Sequence, residues 1–213
     1  DGWTDGWMHG WMDGFFYEYD GGTLYAVRRS SVQQLSGTAI CSKNSNIVAG
    51  TNTRFSDQLS AGDMIVIRGQ SYKVTDVRSH TEIHIQPKYR GRSQSGVIVT
   101  KTVDTKVAQS NWNLDNCDGS GPSAFNLDIN KIQMAYFDYS WYGAGKIRFG
   151  FKDTNGRVRY VHEFIHNNRL NEAYMRTGNI AGRYEVFNRG VPTYVPSLFH
   201  WGTSVIMDGR YAI

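Results

Sequence analysis

The sequence predicts an all-β protein: a β-sandwich-like domain carrying a small inserted β-barrel or sandwich module. Three observations predict it. Stretches in which apolar and polar residues alternate recur from Leu24 onward, the signature of half-buried strands. Turn residues punctuate them at short, regular intervals. Aromatics make up 14% of the chain and 23 glycines accompany only four prolines, a balance that suits many short strands joined by tight corners.

In chain order, residues 1–14 form an arm in which Gly-aromatic pairs repeat every four residues, at Gly2-Trp3, Gly6-Trp7, Gly10-Trp11 and Gly14-Phe15. The repeat is low complexity, and an extended arm outweighs an aromatic strap that docks into a neighbouring subunit. Residues 15–36 and 102–213 are assigned to the sandwich-like domain, with a first strand at Leu24-Tyr25-Ala26-Val27-Arg28-Arg29. Residues 37–101 are assigned to the insert. Its expected strands are Thr38–Ser42, Asn46–Ala49, Met64–Arg68, Tyr72–Val77, Glu82–Gln86 and Val97–Lys101, with turns at Ala61-Gly62-Asp63 and Arg68-Gly69-Gln70. A polar connection from Gln109 to Ser123 reads as a surface loop. Beyond it, strands are expected at Ile132–Trp141, Lys146–Lys152, Val158–Phe164, Tyr184–Phe187 and Ser204–Met207, with a hairpin turn at Asp153-Thr154-Asn155-Gly156 and one short helix near Arg169–Tyr174. The chain stops directly after the last expected strand, as a piece of a longer protein would.

Composition narrows the function classes. At 40% hydrophobic and 20% charged residues, the 213-residue chain has enough apolar material for a core, which excludes wholesale disorder. The net charge of +4 comes from basic residues interleaved with acids, so a dispersed surface and no nucleic-acid partner are expected. Two cysteines, Cys41 and Cys117, fall in different modules and are expected to stay reduced. No apolar run reaches membrane-spanning length, so no membrane span is expected.

The sharpest motif is His162-Glu163-Phe164-Ile165-His166, which satisfies H-E-x-x-H. Zinc chemistry requires that pentapeptide on a helix, where both imidazoles share one face and the Glu activates metal-bound water. Here Val158, Tyr160, His162 and Phe164 fall on one face with the charged residues mostly on the other, which is strand periodicity. No metal, cofactor or catalytic residue is therefore assigned, and the chain is not read as an enzyme. Gly143-Ala144-Gly145-Lys146 approaches a phosphate loop but lacks its first Gly and its Ser/Thr. Asp115, Asp118 and Asp128 lack the spacing of a calcium loop. His80 and His84 are read as ordinary residues on one face of a strand.

Aromatics that could anchor a partner or stack on a ligand are Trp3, Trp7, Trp11, Trp112, Tyr194 and Trp201. Trp141 and Tyr142 fit core filling better.

The segment Trp141-Tyr142-Gly143-Ala144-Gly145-Lys146-Ile147-Arg148-Phe149-Gly150-Phe151, then Tyr160-Val161-His162-Glu163-Phe164-Ile165-His166-Asn167-Asn168, resembles a stretch of structural proteins of tailed bacteriophages of cyanophage and marine-phage type. Tyr174-Met175-Arg176-Thr177-Gly178-Asn179 and Arg183-Tyr184-Glu185 continue it. In the insert, Ser36-Gly37-Thr38, Val48 to Phe55 and Leu59 to Ile67 are similar to small β modules of phage tail and fibre proteins. The resemblance implies a virion location and a tail, baseplate or fibre component that assembles with copies of itself and other virion proteins. Capsid decoration or head-fibre duty and recognition of a host surface glycan stand as alternatives, with an H-E-x-x-H metalloprotease behind them.

Overall fold

The computed structural model describes residues 13–140, 142–175, 180–186 and 197–207. The chain divides into two compact units, residues 1–178 and 179–213, a division the sequence did not signal.

The first unit is all-β, and every strand pairing in it is antiparallel. Its strands are β1 (Gly14–Tyr19), β2 (Leu24–Gln34), β3 (Thr38–Cys41), β4 (Ile47–Thr51), β5 (Met64–Ile67), β6 (Gln70–Ser79), β7 (Glu82–Gln86), β8 (Gln94–Val97), β9 (Val99–Ala108), β10 (Ala135–Tyr139), β11 (Lys146–Lys152) and β12 (Val158–Ile165). Nine form one sheet in the order β1-β2-β9-β5-β6-β7-β4-β3-β8, and β10-β11-β12 form a second.

The long strands β2 and β9 pair along most of their length, from Tyr25↔Ala108 to Gln34↔Thr100, and bracket residues 35–99 between them. Only Ile98 separates β8 from β9, yet β8 pairs with β3 while the start of β9 pairs with β5. The sheet thus curls until residues 38–101 close on themselves. Fifteen buried residues between Leu35 and Val99, among them Phe55, Ile65, Ile67, Tyr72, Ile83 and Tyr89, fill that closure. Alternation puts them there: in β6, Tyr72 and Val74 point inward while Lys73 points to water.

A second core lies between β1 and the three-stranded sheet. Phe15 packs against Phe137 and Tyr139, Tyr17 against Phe149 and Phe151, and the Tyr17 hydroxyl donates to the Gly150 carbonyl at 3.2 Å. Rings at 4.6–6.2 Å supply both area and edge-to-face geometry.

Several expectations need correction. β1 was not anticipated. The strand expected over Ile132–Trp141 is confined to Ala135–Tyr139, and Trp141 lies outside the described residues. The helix expected near Arg169–Tyr174 is irregular chain, because Asn168 turns at φ +58° and Tyr174 is held by a hydrogen bond from its N–H to the Gly143 carbonyl. A four-residue helix, α1 (Phe55–Gln58), sits in the insert instead.

The second unit has no strand among its described residues, so Tyr184–Val186 and Ser204–Met207 are not the strands expected there. The Tyr184 ring lies over His200 at 3.8 Å, and both side chains hydrogen-bond the Thr203 hydroxyl.

Candidate functional site

The H-E-x-x-H residues lie on β12 and just beyond it. His162 is buried in the aromatic core, 4.6 Å from Phe164 between ring centroids, while Glu163 faces the other way and pairs with Lys146 at 3.3 Å. Four residues of strand separate the two histidines by roughly 13 Å along the chain, too far to share one ion. Among the described residues, no three His, Cys, Asp or Glu side chains converge as a metal site.

Each imidazole has a structural task. His162 Nδ1 accepts the Asn113 N–H at 3.3 Å, and burial pushes its pKa down. The Asn113 amide then brackets the Glu163 backbone, giving Nδ2–H to its carbonyl at 3.0 Å and taking its N–H at 2.9 Å. Leu114 and Asp115 both donate to the Val161 carbonyl. Residues 113–115 therefore cap the outer edge of β12. His166 donates from Nδ1 to the Gly145 carbonyl at 2.9 Å, and burial, with the Arg28 guanidinium beside it, pushes it down to about 4.

Among the described residues, the opposite edge of the same sheet pairs with no strand. The Lys152 N–H reaches the Met134 carbonyl at 3.0 Å and the Ser140 N–H reaches the Lys146 carbonyl at 3.2 Å, so the even-numbered backbone groups of β10 face β11. Those of Ala135, Phe137 and Tyr139 face away from it, where no described strand pairs with them. Ile132, Met134 and Tyr136 leave apolar side chains exposed along this rim.

The other candidates disperse. Asp115 is buried, yet its carboxyl lies below the usual range: burial would raise it, and hydrogen bonds from Ser123 and Cys117 outweigh that. Asp118 and Asp128 each bind their own loop, at Ser120 and Asn130. Gly143 and Gly145 form the β10–β11 turn and receive hydrogen bonds from Tyr174 and His166. His80 sits in the β6–β7 turn against Ser56, not on the strand face with His84, which meets Glu82. Cys41 and Cys117 are free and buried, with burial pushing their thiols up to about 11 and about 12.

Of the aromatics, Trp112 is corrected to a core residue. It is 5% exposed, donates from Nε1 to the Val107 carbonyl at 3.1 Å and stacks on Phe151. Tyr142, expected in the core, is 85% exposed. Trp3, Trp7, Trp11 and Tyr194 lie outside the described residues. Trp201 is 74% exposed and belongs to an apolar series with Leu198, Phe199, Val205, Ile206 and Met207, all at least half exposed. The strand expected over Ser204–Met207 does not foresee this surface.

Among the described residues, no helix is long and apolar enough to cross a membrane. No family model, no curated protein and no solved structure matches the chain.

Proposed function

We propose that this chain is a structural protein of a bacteriophage virion, a tail, baseplate or fibre component that works by assembling with copies of itself and with neighbouring virion proteins. The phage setting comes from the sequence resemblance. The assembly mode is supported by one observation above the others, the exposed apolar series from Leu198 to Met207. Those six residues are 54–82% exposed, and a standard interface needs about 800 Å² from each partner. Isolated exposed apolar residues need no explanation, but six within ten positions do.

The rim of β10 is a second, separate candidate contact surface. A strand edge with outward backbone donors and acceptors and apolar flanking side chains accepts an extended segment of another chain, while the capped edge of β12 does not.

Immunogold electron microscopy of intact particles, with antibody against this chain, tests the setting. Label on the tail or fibres supports the reading; label on the head moves the protein to decoration; absence from particles with the protein present in lysate overturns it. Light scattering tests the mode. The chain is expected to self-associate, and Val205→Asp with Ile206→Asp is expected to leave monomer with unchanged circular dichroism.

A further inference from the structure

The positive charge of the chain is concentrated in the insert. Residues 37–101 carry nine Lys/Arg against four Asp/Glu, a net of +5, whereas the remainder carries fourteen against fifteen, a net of −1. All four insert carboxylates are engaged: Asp57 with Arg54, Asp63 with Lys101, Asp76 with Arg78 and Glu82 with His84. Among the described residues, no carboxylate pairs with Lys43, Arg68, Lys73, Lys88, Arg90 or Arg92.

Two of these cations, Arg68 and Arg92, line one cleft. The β5–β6 turn and the 87–93 loop enclose a cleft of about 630 Å³, lined by Arg68, Gln70, Gly91, Arg92, Ser93 and Gln94. Arg68 is exposed at the turn with φ +51°, a left-handed conformation that Asn or Gly adopts at lower cost. It hydrogen-bonds Gln94 across the cleft. The Lys43 N–H donates to the Ser93 hydroxyl at 2.9 Å. The Tyr72 hydroxyl accepts from the Arg90 N–H at 3.2 Å and donates to Gln70 at 2.8 Å, which fixes loop and rim together.

Tyr89 forms the floor. It is 1% exposed, yet its hydroxyl has no hydrogen-bond partner. Buried polar groups are ordinarily satisfied, so an orphan beneath a cleft marks a place where an acceptor completes the site. Gly91 lets the loop cross this hydroxyl, since a Cβ there would lie 2.3 Å from it.

We propose that this cleft binds an anionic oligosaccharide, one bearing carboxylate, sulfate or phosphate groups. The two guanidinium groups supply forked donors for oxyanions, and Gln70, Gln94 and Ser93 both donate to and accept from sugar hydroxyls. The volume suits a short oligomer. Nucleic acid fits less well, because no aromatic ring is exposed along the cleft for bases to stack on: Tyr72 and Tyr89 are both buried. The proposal is independent of the assembly reading and is tested on the isolated chain.

Isothermal titration at physiological salt would use a sulfated heparin octasaccharide, an oligogalacturonate, neutral dextran, a single-stranded DNA dodecamer and inorganic phosphate. An acidic oligosaccharide is expected to bind, dextran is not, and Arg68→Ala and Arg92→Ala are each expected to weaken binding about tenfold. Arg78→Ala removes the same charge at the other end of β6 and is expected to change nothing. Both cleft arginines are exposed, so circular dichroism should be unaltered. Tighter binding of DNA, binding of phosphate alone, equal losses in Arg78→Ala, or no binding to either acidic oligosaccharide would each overturn the assignment.

Discussion

The rings of His166 and Tyr174 stack at 4.2 Å between centroids with an interplanar angle of 25°, and together they fasten the chain after β12 to the β10–β11 turn. Burial and the Arg28 guanidinium hold the imidazole neutral, outweighing the hydrogen bond from Nδ1 to the Gly145 carbonyl, which favours the proton. An unfolded histidine takes up a proton near pH 6.5, whereas folded His166 does so only near 4. Between those values the unfolded chain binds more protons, so stability is full above pH 6.5 and declines as pH falls toward 4. The loss is on the order of 3 kcal/mol, with His162 adding in the same direction. Urea melts from pH 7 to pH 4 should show this decline, and His166→Phe should flatten most of it.

Trp112→Ala is expected to destabilise the fold by about 3–5 kcal/mol, the cost of removing a large buried aromatic. Trp112→Phe should cost less, losing area and the bond to Val107. An unchanged melting temperature for Trp112→Ala would contradict the core placement and return this residue to the surface.

Gly37→Ala should be among the most damaging substitutions in the insert. Its φ is +71°, and a Cβ would lie 2.4 Å from the Thr51 carbonyl oxygen, a backbone atom without freedom to withdraw. A loss above about 2 kcal/mol is expected in thermal denaturation.

Neither thiol should react with a disulfide reagent at pH 8 in the folded protein, because Cys41 and Cys117 are buried and titrate near 11 and 12. Two thiols should become reactive in denaturant. Rapid modification of either under native conditions would show that its core opens readily.

The parts of this fold legible in sequence are those whose cause is local. The β11–β12 hairpin is one, because Asp153 accepts the N–H groups of Asn155 and Arg157 and Gly156 supplies φ +74°, all within five residues. β1 escaped because aromatic residues occupy both of its faces: Phe15 and Tyr17 enter the core, while Phe16 receives Arg29 on the other side at 4.9 Å. Val205 and Ile206 have strand composition, but a strand needs a partner, and composition does not supply one. The basic cleft was hidden for the opposite reason. Arg68 and Arg92 are 24 positions apart, and the β5–β6 turn and the 87–93 loop bring them together.

The pairing of β2 with β9 brings the two ends of residues 35–99 together. Gln34 and Thr100 are Cα partners across this ladder, so the chain leaves for the module and returns at neighbouring points on two strands that already hold each other. Replacing the intervening residues by a two-residue hairpin turn would leave the pairing between Tyr25↔Ala108 and Ser30↔Val103 untouched. The same junction could receive a different small segment while the ladder from Tyr25↔Ala108 to Ser30↔Val103 stays paired.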